Sequence, residues 1–436
     1  MNRKQWLLLF VAMCALLLSV VAFLLLRRSR TRCPIIMISI DTLRADHLGC
    51  YGYHRNVSPA VDRFCRDSVR FSCVIAQAPS TAASHASMFT SLVPSRHGTS
   101  MRENGALAEH FATLAEVLQK QGYATASFNG GVQLAPEVGL DQGFDLYHSS
   151  YMVEFDKCVD LALPWLKSRD LYFLFLHTYE VHIPYVPKPS ILELFEAEYH
   201  GPLPKRHLHA GIIQRVNSGK IPISEADKRH IIACYDSGVR SMDNAFSRLV
   251  SELKRRGIYD RAMIIFTSDH GEELGEHGKM AWHSHTLYDE LIKVPLIIKF
   301  PRGQYAGRVV DSQVRSMDIM PTLLDYLAVP CPDVQGTSLL PHIQGQGEHL
   351  VAVSELVNKT GRYPVVVRTP QWKLTDSRLI DLVADPGEWG AVDNEAVSRQ
   401  LRRIREQAVG PQDVQGAPMK LEAHTEEELR ALGYLN

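Results

Sequence analysis

This 436-residue sequence predicts an α/β fold: a mostly parallel central sheet flanked by helices, a small C-terminal α+β subdomain and an N-terminal transmembrane helix. Three observations predict it. Short apolar, β-branched runs recur and stop abruptly on polar residues. Helix-period segments closed by glycine lie between them. One long uncharged apolar stretch stands at the N-terminus.

That stretch comes first. From Trp6 to Leu26, WLLLFVAMCALLLSVVAFLLL carries no charge and one clearly polar residue, Ser19. As a helix it would reach ~31 Å, enough to cross a bilayer core. A cleavable signal peptide has a shorter apolar region followed by small residues. Here RRSRTR follows, so residues 6–26 read as an uncleaved anchor and 27–34 as a basic linker. Arg3 and Lys4 precede the run, whereas Arg27, Arg28, Arg30 and Arg32 follow it. Taken alone, that bias leans toward a cytoplasmic catalytic domain.

Past the linker, CPIIMISID reads as a buried strand ending at Asp41. DLYFLFLH ends near His177, AMIIFTSD ends at Asp269, and KVPLIIKF runs up to Pro301. Between them, HFATLAEVLQKQG closed by Gly122 and GVRSMDNAFSRLVSELKRRG closed by Gly257 read as helices. Strands alternating with helices imply a parallel sheet covered on both faces. Ligand sites in such sheets lie beyond the carboxyl ends of the strands. Asp41, His177 and Asp269 reach those ends from distant segments, which places the candidate site.

Further on, EHLVAVSELVNKTGRYPVVVRTPQWKLTDSRLIDL alternates apolar and polar residues, as antiparallel strands do. A helix around NEAVSRQLRRIREQ follows. The organisation is therefore a catalytic domain over 35–345, a C-terminal subdomain over 346–408 and a tail over 409–436.

Forty-seven Lys and Arg balance 48 Asp and Glu, giving a formal charge of −1 and arguing against nucleic acid as a partner. The eight Cys are scattered, with no close pair of zinc or redox type. They read mostly as small buried apolar side chains.

Three stretches carry side chains suited to chemistry. TSDHGEELGEHGK places Asp269 and His270 directly after a strand, and Asp41 supplies a second carboxylate. Together they form a metal-ligand set. HTYEVHIPY carries Glu180 and His182, with Pro184 holding the segment extended; His182 suits protonation of a leaving oxygen or metal binding. WHSHTLYDE brings His283 and His285 near the same strand end, and Lys279 suits an anionic group. Finally, IAQAPSTAASHASMFTSLVPSRHG reads as a cap at Ser80 or Thr81 followed by a helix. A helix N-terminus offers free N–H groups to an oxyanion. A hydroxyl placed there beside a metal becomes a nucleophile.

The strings IIMISIDTLRADHLGCYG, PSRHG, TLAEVLQKQGYATA, HIPY, TSDHGEELGEHG, LYDELIKVPLIIKFP, MDIMPTLLDYLAV and KLTDSRLIDLVADPGE follow one another in order. Over residues 35–388 they resemble the sulfatase family of the alkaline phosphatase superfamily. By that resemblance the nucleophile position falls on Thr81. Sulfatases place Cys or Ser there for oxidation to formylglycine; Thr cannot yield that aldehyde, so no formylglycine is expected. The family's motif Pro and Arg are Ala83 and His85 here, its second strand-end Asp is Thr42, and an anion-binding Lys is missing around Asn129.

The surviving set, Asp41, Thr81, Asp269 and His270, resembles the Thr-nucleophile branch of the superfamily: phosphodiesterases and phospho-group transferases that bind zinc or manganese, with calcium a third candidate. The same resemblance implies roles for His182, with Glu180 or His283, at a second metal or the leaving group. His285, His85 and Arg96 complete the set that would hold a second metal or the substrate. It also implies a domain outside the cytoplasm, against the charge lean. The expected function is a membrane-anchored, metal-dependent hydrolase of sulfate or phosphate esters, with phosphate or phosphodiester substrates favoured. The ester would be a small molecule, lipid or glycan. Two alternatives are a head-group transferase to a lipid or glycan, and an inactive binding module.

Overall fold

The computed structural model describes residue 13 and residues 32–101, 105–150, 154–196, 198–356, 364–410, 416–419 and 425. Apart from Met13, the expected anchor lies outside the described residues, as do residues 27–31 of the linker and most of the tail. Among the described residues no helix is long and apolar enough to cross a membrane.

The eight strands of the main sheet are β1 (Ile35–Ile40), β2 (Val69–Ile75), β3 (Ala124–Gly130), β4 (Leu146–Ser150), β5 (Tyr172–Thr178), β6 (Met263–Ser268), β7 (Lys293–Lys299) and β8 (Val309–Arg315). Their order is β8-β2-β7-β6-β1-β5-β3-β4. Only β7 runs antiparallel to its neighbours; β1 pairs in parallel with β5 on one side and β6 on the other. The sheet is thus mostly parallel, as the sequence predicts.

The reason lies in the runs themselves. Every residue of IIMISI and of YFLFLHT is buried. Because side chains alternate across a strand, Ile36, Ile38 and Ile40 join one core with Leu174, Leu176, Ile264 and Phe266. Ile35 and Met37 join the opposite core with Phe173, Phe175, Met263 and Ile265. A strand apolar on both faces is stable only between two helical layers.

Those layers are built from α1 (Pro59–Arg66), α2 (Thr81–Thr90), α3 (Leu114–Lys120), α4 (Phe155–Trp165), α5 (Glu225–Arg255) and α6 (Ile319–Tyr326). Helix α5 starts well before the predicted Gly238, at a capping box between Ser224 and Asp227. Its interior Gly238 has a packing reason: a Cβ there would meet the Glu180 carbonyl at 2.7 Å. The glycine lets the His182 loop lie on the helix.

A four-stranded antiparallel sheet, β9 (Ala352–Glu355), β10 (Val365–Arg368), β11 (Trp372–Leu374) and β12 (Leu379–Asp381), forms the C-terminal subdomain. Helix α7 (Glu395–Ala408) covers it through Leu401. Glu355 ties it to the main body, accepting from the Ser95 backbone N–H at 2.6 Å and hydroxyl at 2.8 Å. Cysteine placement differs from expectation: among the described residues Cys33, Cys158 and Cys234 are buried, but Cys50, Cys65 and Cys73 are only part-buried and Cys331 is exposed.

Candidate active site

Strands β1 and β6 deliver Asp41 and Asp269–His270 to one pole of the sheet, and α2 brings Thr81 there at its first residue. Ser80 occupies the N-cap with extended backbone, yet no side chain caps the helix. The expected local cap by a hydroxyl is therefore absent. Instead the buried Thr81 hydroxyl donates to Asp41 Oδ2 at 3.1 Å.

Each neighbouring side chain is oriented by one half and left open at the other. Asp269 Oδ1 accepts from the N–H groups of His270 at 2.9 Å and Thr42 at 3.3 Å, while Oδ2 has no partner. His270 Nδ1 is 2.9 Å from the Gly271 carbonyl and His177 Nδ1 is 2.8 Å from the Gly130 carbonyl. A carbonyl only accepts, so both imidazoles carry their proton on Nδ1 and present an Nε2 lone pair. Both Nε2 atoms, Asp41 Oδ1 and Asp269 Oδ2 are buried and unpartnered.

These open atoms face one another. His270 Nε2 lies 3.9 Å from Asp41 Oδ1 and 3.6 Å from Asp269 Oδ2; His177 Nε2 lies 3.4 Å from Asp41 Oδ2. Four buried atoms that converge with no hydrogen-bond partner are costly unless protons or a cation join them. Asp41, Asp269 and His270 can hold a metal ion, and His177 supplies a further nitrogen beside them. Oxygen and imidazole donors of this kind suit zinc or manganese.

The electrostatics agree. Burial, with the Asp269 charge beside it, lifts the Asp41 carboxyl well above its ordinary range. Burial also opposes the charge on Asp269, but the His270, His85 and His177 imidazoles outweigh it and lower that pKa. For His270 burial works against protonation, and Asp269 and Asp41 overcome it and raise the pKa. Without a cation the cluster holds protons; binding a cation displaces them.

Residues 34–329 match the family described as Sulfatase, and residues 275–412 match the C-terminal region of N-sulphoglucosamine sulphohydrolase. The chain belongs to the sulfatase family. A multifunctional alkaline phosphatase superfamily protein, PehA of Trinickia caryophylli, is 31% identical over 208 residues, spanning 42% of this chain but only 40% of that protein. An N-acetylglucosamine-6-O-sulfatase of Bacteroides thetaiotaomicron is 24% identical over 471 residues, spanning 87% of this chain and 84% of that one. In structure, a phosphonate monoester hydrolase of Agrobacterium radiobacter superposes with a TM-score of 0.71 at 21% identity, covering 86% of this chain and 96% of that one.

Within this sulfatase-family fold the other predicted residues divide. His182 and His283 join the cluster: their rings lie 4.9 Å apart, and His283 is 4.9 Å from the His270 ring. Burial pushes His182 down to about 3. His85 is adjacent too, but both its nitrogens are committed, Nδ1 to the Thr81 carbonyl at 2.8 Å and Nε2 to the Ser39 hydroxyl at 2.9 Å. It supports Thr81 rather than offering a lone pair.

Four are not brought in. Glu180 Oε2 accepts from the Phe155 N–H and so caps α4. Exposed Arg96 reaches the Gln407 and Ala408 carbonyls at the end of α7. Exposed Lys279 donates to the Asn217 carbonyl at 3.0 Å, and exposed His285 stacks on Trp282. Sequence reasoning named His177 only as a strand end and missed Glu272. Buried Glu272 holds His283 Nδ1 at 3.0 Å and accepts from the Tyr185 hydroxyl. Its signal was weak: an acid two residues after His270.

Proposed function

We propose that this chain is a membrane-anchored, metal-dependent hydrolase of phosphate or phosphodiester esters, with Thr81 as nucleophile and its catalytic domain outside the cytoplasm. One observation carries the reading. The Thr81 hydroxyl stands at a helix N-terminus, 3.1 Å from Asp41 Oδ2, beside a buried group of open metal-donor atoms. Asp41, Asp269, His270 and His177 would hold the cation. When bound, it lowers the hydroxyl pKa and stabilises negative charge on the ester.

The chain's own residues supply the rest. Thr81 Oγ1 passes its proton toward Asp41 and forms a bond to phosphorus as the leaving oxygen departs. The positive end of the α2 dipole, at whose first residue Thr81 stands, favours the developing charge. His283, with Nδ1 held by Glu272, suits protonation of the leaving oxygen, while His182, kept neutral by burial, packs edge-on against it. Water then cleaves the Thr81 ester.

Thr at the nucleophile position moves the reading from sulfate toward phosphate, since threonine does not give the aldehyde that sulfatases use. The similar proteins include an N-acetylglucosamine-6-O-sulfatase and PehA, described as multifunctional, and a superposing structure is a phosphonate monoester hydrolase. Purified full-length protein should cleave aryl phosphodiesters or monoesters faster than an aryl sulfate. The reverse order would overturn the phosphate assignment.

A further inference from the structure

We propose that the pole of the sheet opposite the active site rests on an anionic lipid surface. The active site then faces away from the anchoring bilayer and takes a soluble or glycan-borne ester, not a head group of its own membrane. This rests on the proposed anchor at residues 6–26 and deepens the functional reading by naming the substrate's location.

The chain enters the body at Pro34, the residue before β1, and Asp41 follows the other end of that strand. Six residues of strand separate the poles by ~20 Å. Between Leu26 and Pro34 lie seven residues, which reach ~25 Å at most when fully extended. A body of ~400 residues is roughly 50 Å across. So short a tether at the entry pole cannot wrap around the body to let the opposite pole touch the bilayer.

In a parallel sheet each crossover helix ends at the entry pole, and here several of those ends are basic: Arg66 of α1, Lys120 of α3, Lys254 of α5. Helix dipoles favour this locally, but the same placement rings the membrane-proximal face with cations. Exposed Lys167, Arg302 and Arg308 extend the ring. Asp67, Asp170, Asp260 and Asp325 lie among them; among the described residues Arg261 is 3.4 Å from Asp170, and Arg255 and Arg256 pair with Glu252. A recess of about 840 Å³ opens here, where Arg32, Arg261 and Arg302 outnumber Asp170 and Asp325 around Tyr305 and Tyr326. Cations over an aromatic-rimmed recess suit lipid phosphate groups at the interface. Two exposed apolar side chains, Leu146 (41%) and Val309 (47%), begin the two edge strands at this same pole.

The test uses full-length protein in vesicles of phosphatidylcholine with or without phosphatidylglycerol. A fluorescent amino acid replaces Lys120 at the entry pole or His285 beside the site, and the lipid carries a quencher. Quenching at 120 should exceed that at 285 several-fold, and phosphatidylglycerol should strengthen it in a salt-sensitive way. Equal quenching at both positions in carbonate-resistant protein would overturn the orientation while the anchor stands. Quenching at 120 indifferent to phosphatidylglycerol would overturn the anionic contact. Release of the chain by alkaline carbonate would overturn the anchor reading and this inference with it. Lys120→Glu with Arg302→Glu should reduce the phosphatidylglycerol effect and leave turnover of a soluble ester within about twofold.

Discussion

His85 Nδ1 donates to the carbonyl of Thr81, 2.8 Å away and one helical turn back, while its Nε2 accepts from the Ser39 hydroxyl at 2.9 Å. The imidazole thus braces the first turn of α2 against β1, the two elements that bring Thr81 to Asp41. Burial pushes it down to about 3, so it stays neutral and keeps its Nδ1 proton. His85→Ala leaves the buried Ser39 hydroxyl without this partner, at about 1–3 kcal/mol, and removes the side-chain bond to the Thr81 carbonyl. The variant should unfold at lower denaturant and lose about ten- to a hundredfold in kcat, with KM little changed. His85→Gln should recover part of both. An alanine variant with wild-type kcat would show that the brace is irrelevant to turnover.

Thr81 itself separates chemistry from support. Thr81→Ala should keep the fold and bound metal but lose about a thousandfold or more in kcat. Thr81→Ser keeps the oxygen and should stay within about tenfold of wild type. Steady-state rates on an aryl phosphodiester, with metal content measured alongside, check both. Serine failing as badly as alanine would remove the nucleophile assignment.

The open donors predict a metal requirement. A chelator should abolish turnover, and zinc or manganese should restore it. Asp269→Asn removes one charge from the site while keeping the shape. Its affinity for zinc should fall at least ~100-fold by competition against a fluorescent chelator. The His270 and Asp41 pKa values stand raised in the cation-free protein, so binding should release protons, measurable as acidification of a weakly buffered sample. Binding with no proton release would contradict the placement of the ion among these residues.

Much of this was readable from the sequence, for a local reason. A six-residue buried run that stops on Asp, as in IIMISID, marks both a parallel strand and a ligand at its end. Asp41, Asp269 and His270 all carry that signature. The α5 start was missed because its capping box lies before the strongest apolar periodicity. Glu180 and Arg96 were misplaced in the site because their partners, the Phe155 N–H and the α7 carbonyls, come from distant segments. Glu272 escaped for the same reason: its contacts are Tyr185 and His283, on separate loops. Position along the chain marks where a ligand enters; which half of it stays open depends on contacts that only the fold creates.

The same burial that sets the site makes stability depend on pH, and His97 isolates the effect because it stands outside the metal cluster. It is buried, with Nε2 3.0 Å from the Ser87 hydroxyl and Nδ1 accepting from the Thr99 N–H at 3.1 Å. Burial pushes it from the ordinary 6.5 down to about 3. The unfolded chain therefore takes up a proton near pH 6.5 that the folded protein refuses until about pH 3. Its contribution is whole above pH 6.5 and falls as acid is added, by up to ~1.4 kcal/mol per pH unit. Glu355 acts the other way: burial lifts it to about 7, so the folded protein gains from its proton and loses that gain as pH rises. Total stability mixes the two signs, so the comparison must be against a variant. His97→Gln keeps a polar side chain but cannot titrate. Its unfolding free energy relative to wild type, from urea titrations, should improve steadily between pH 6.5 and about 4. A difference independent of pH over that window would mean that His97 is not held neutral in the folded protein.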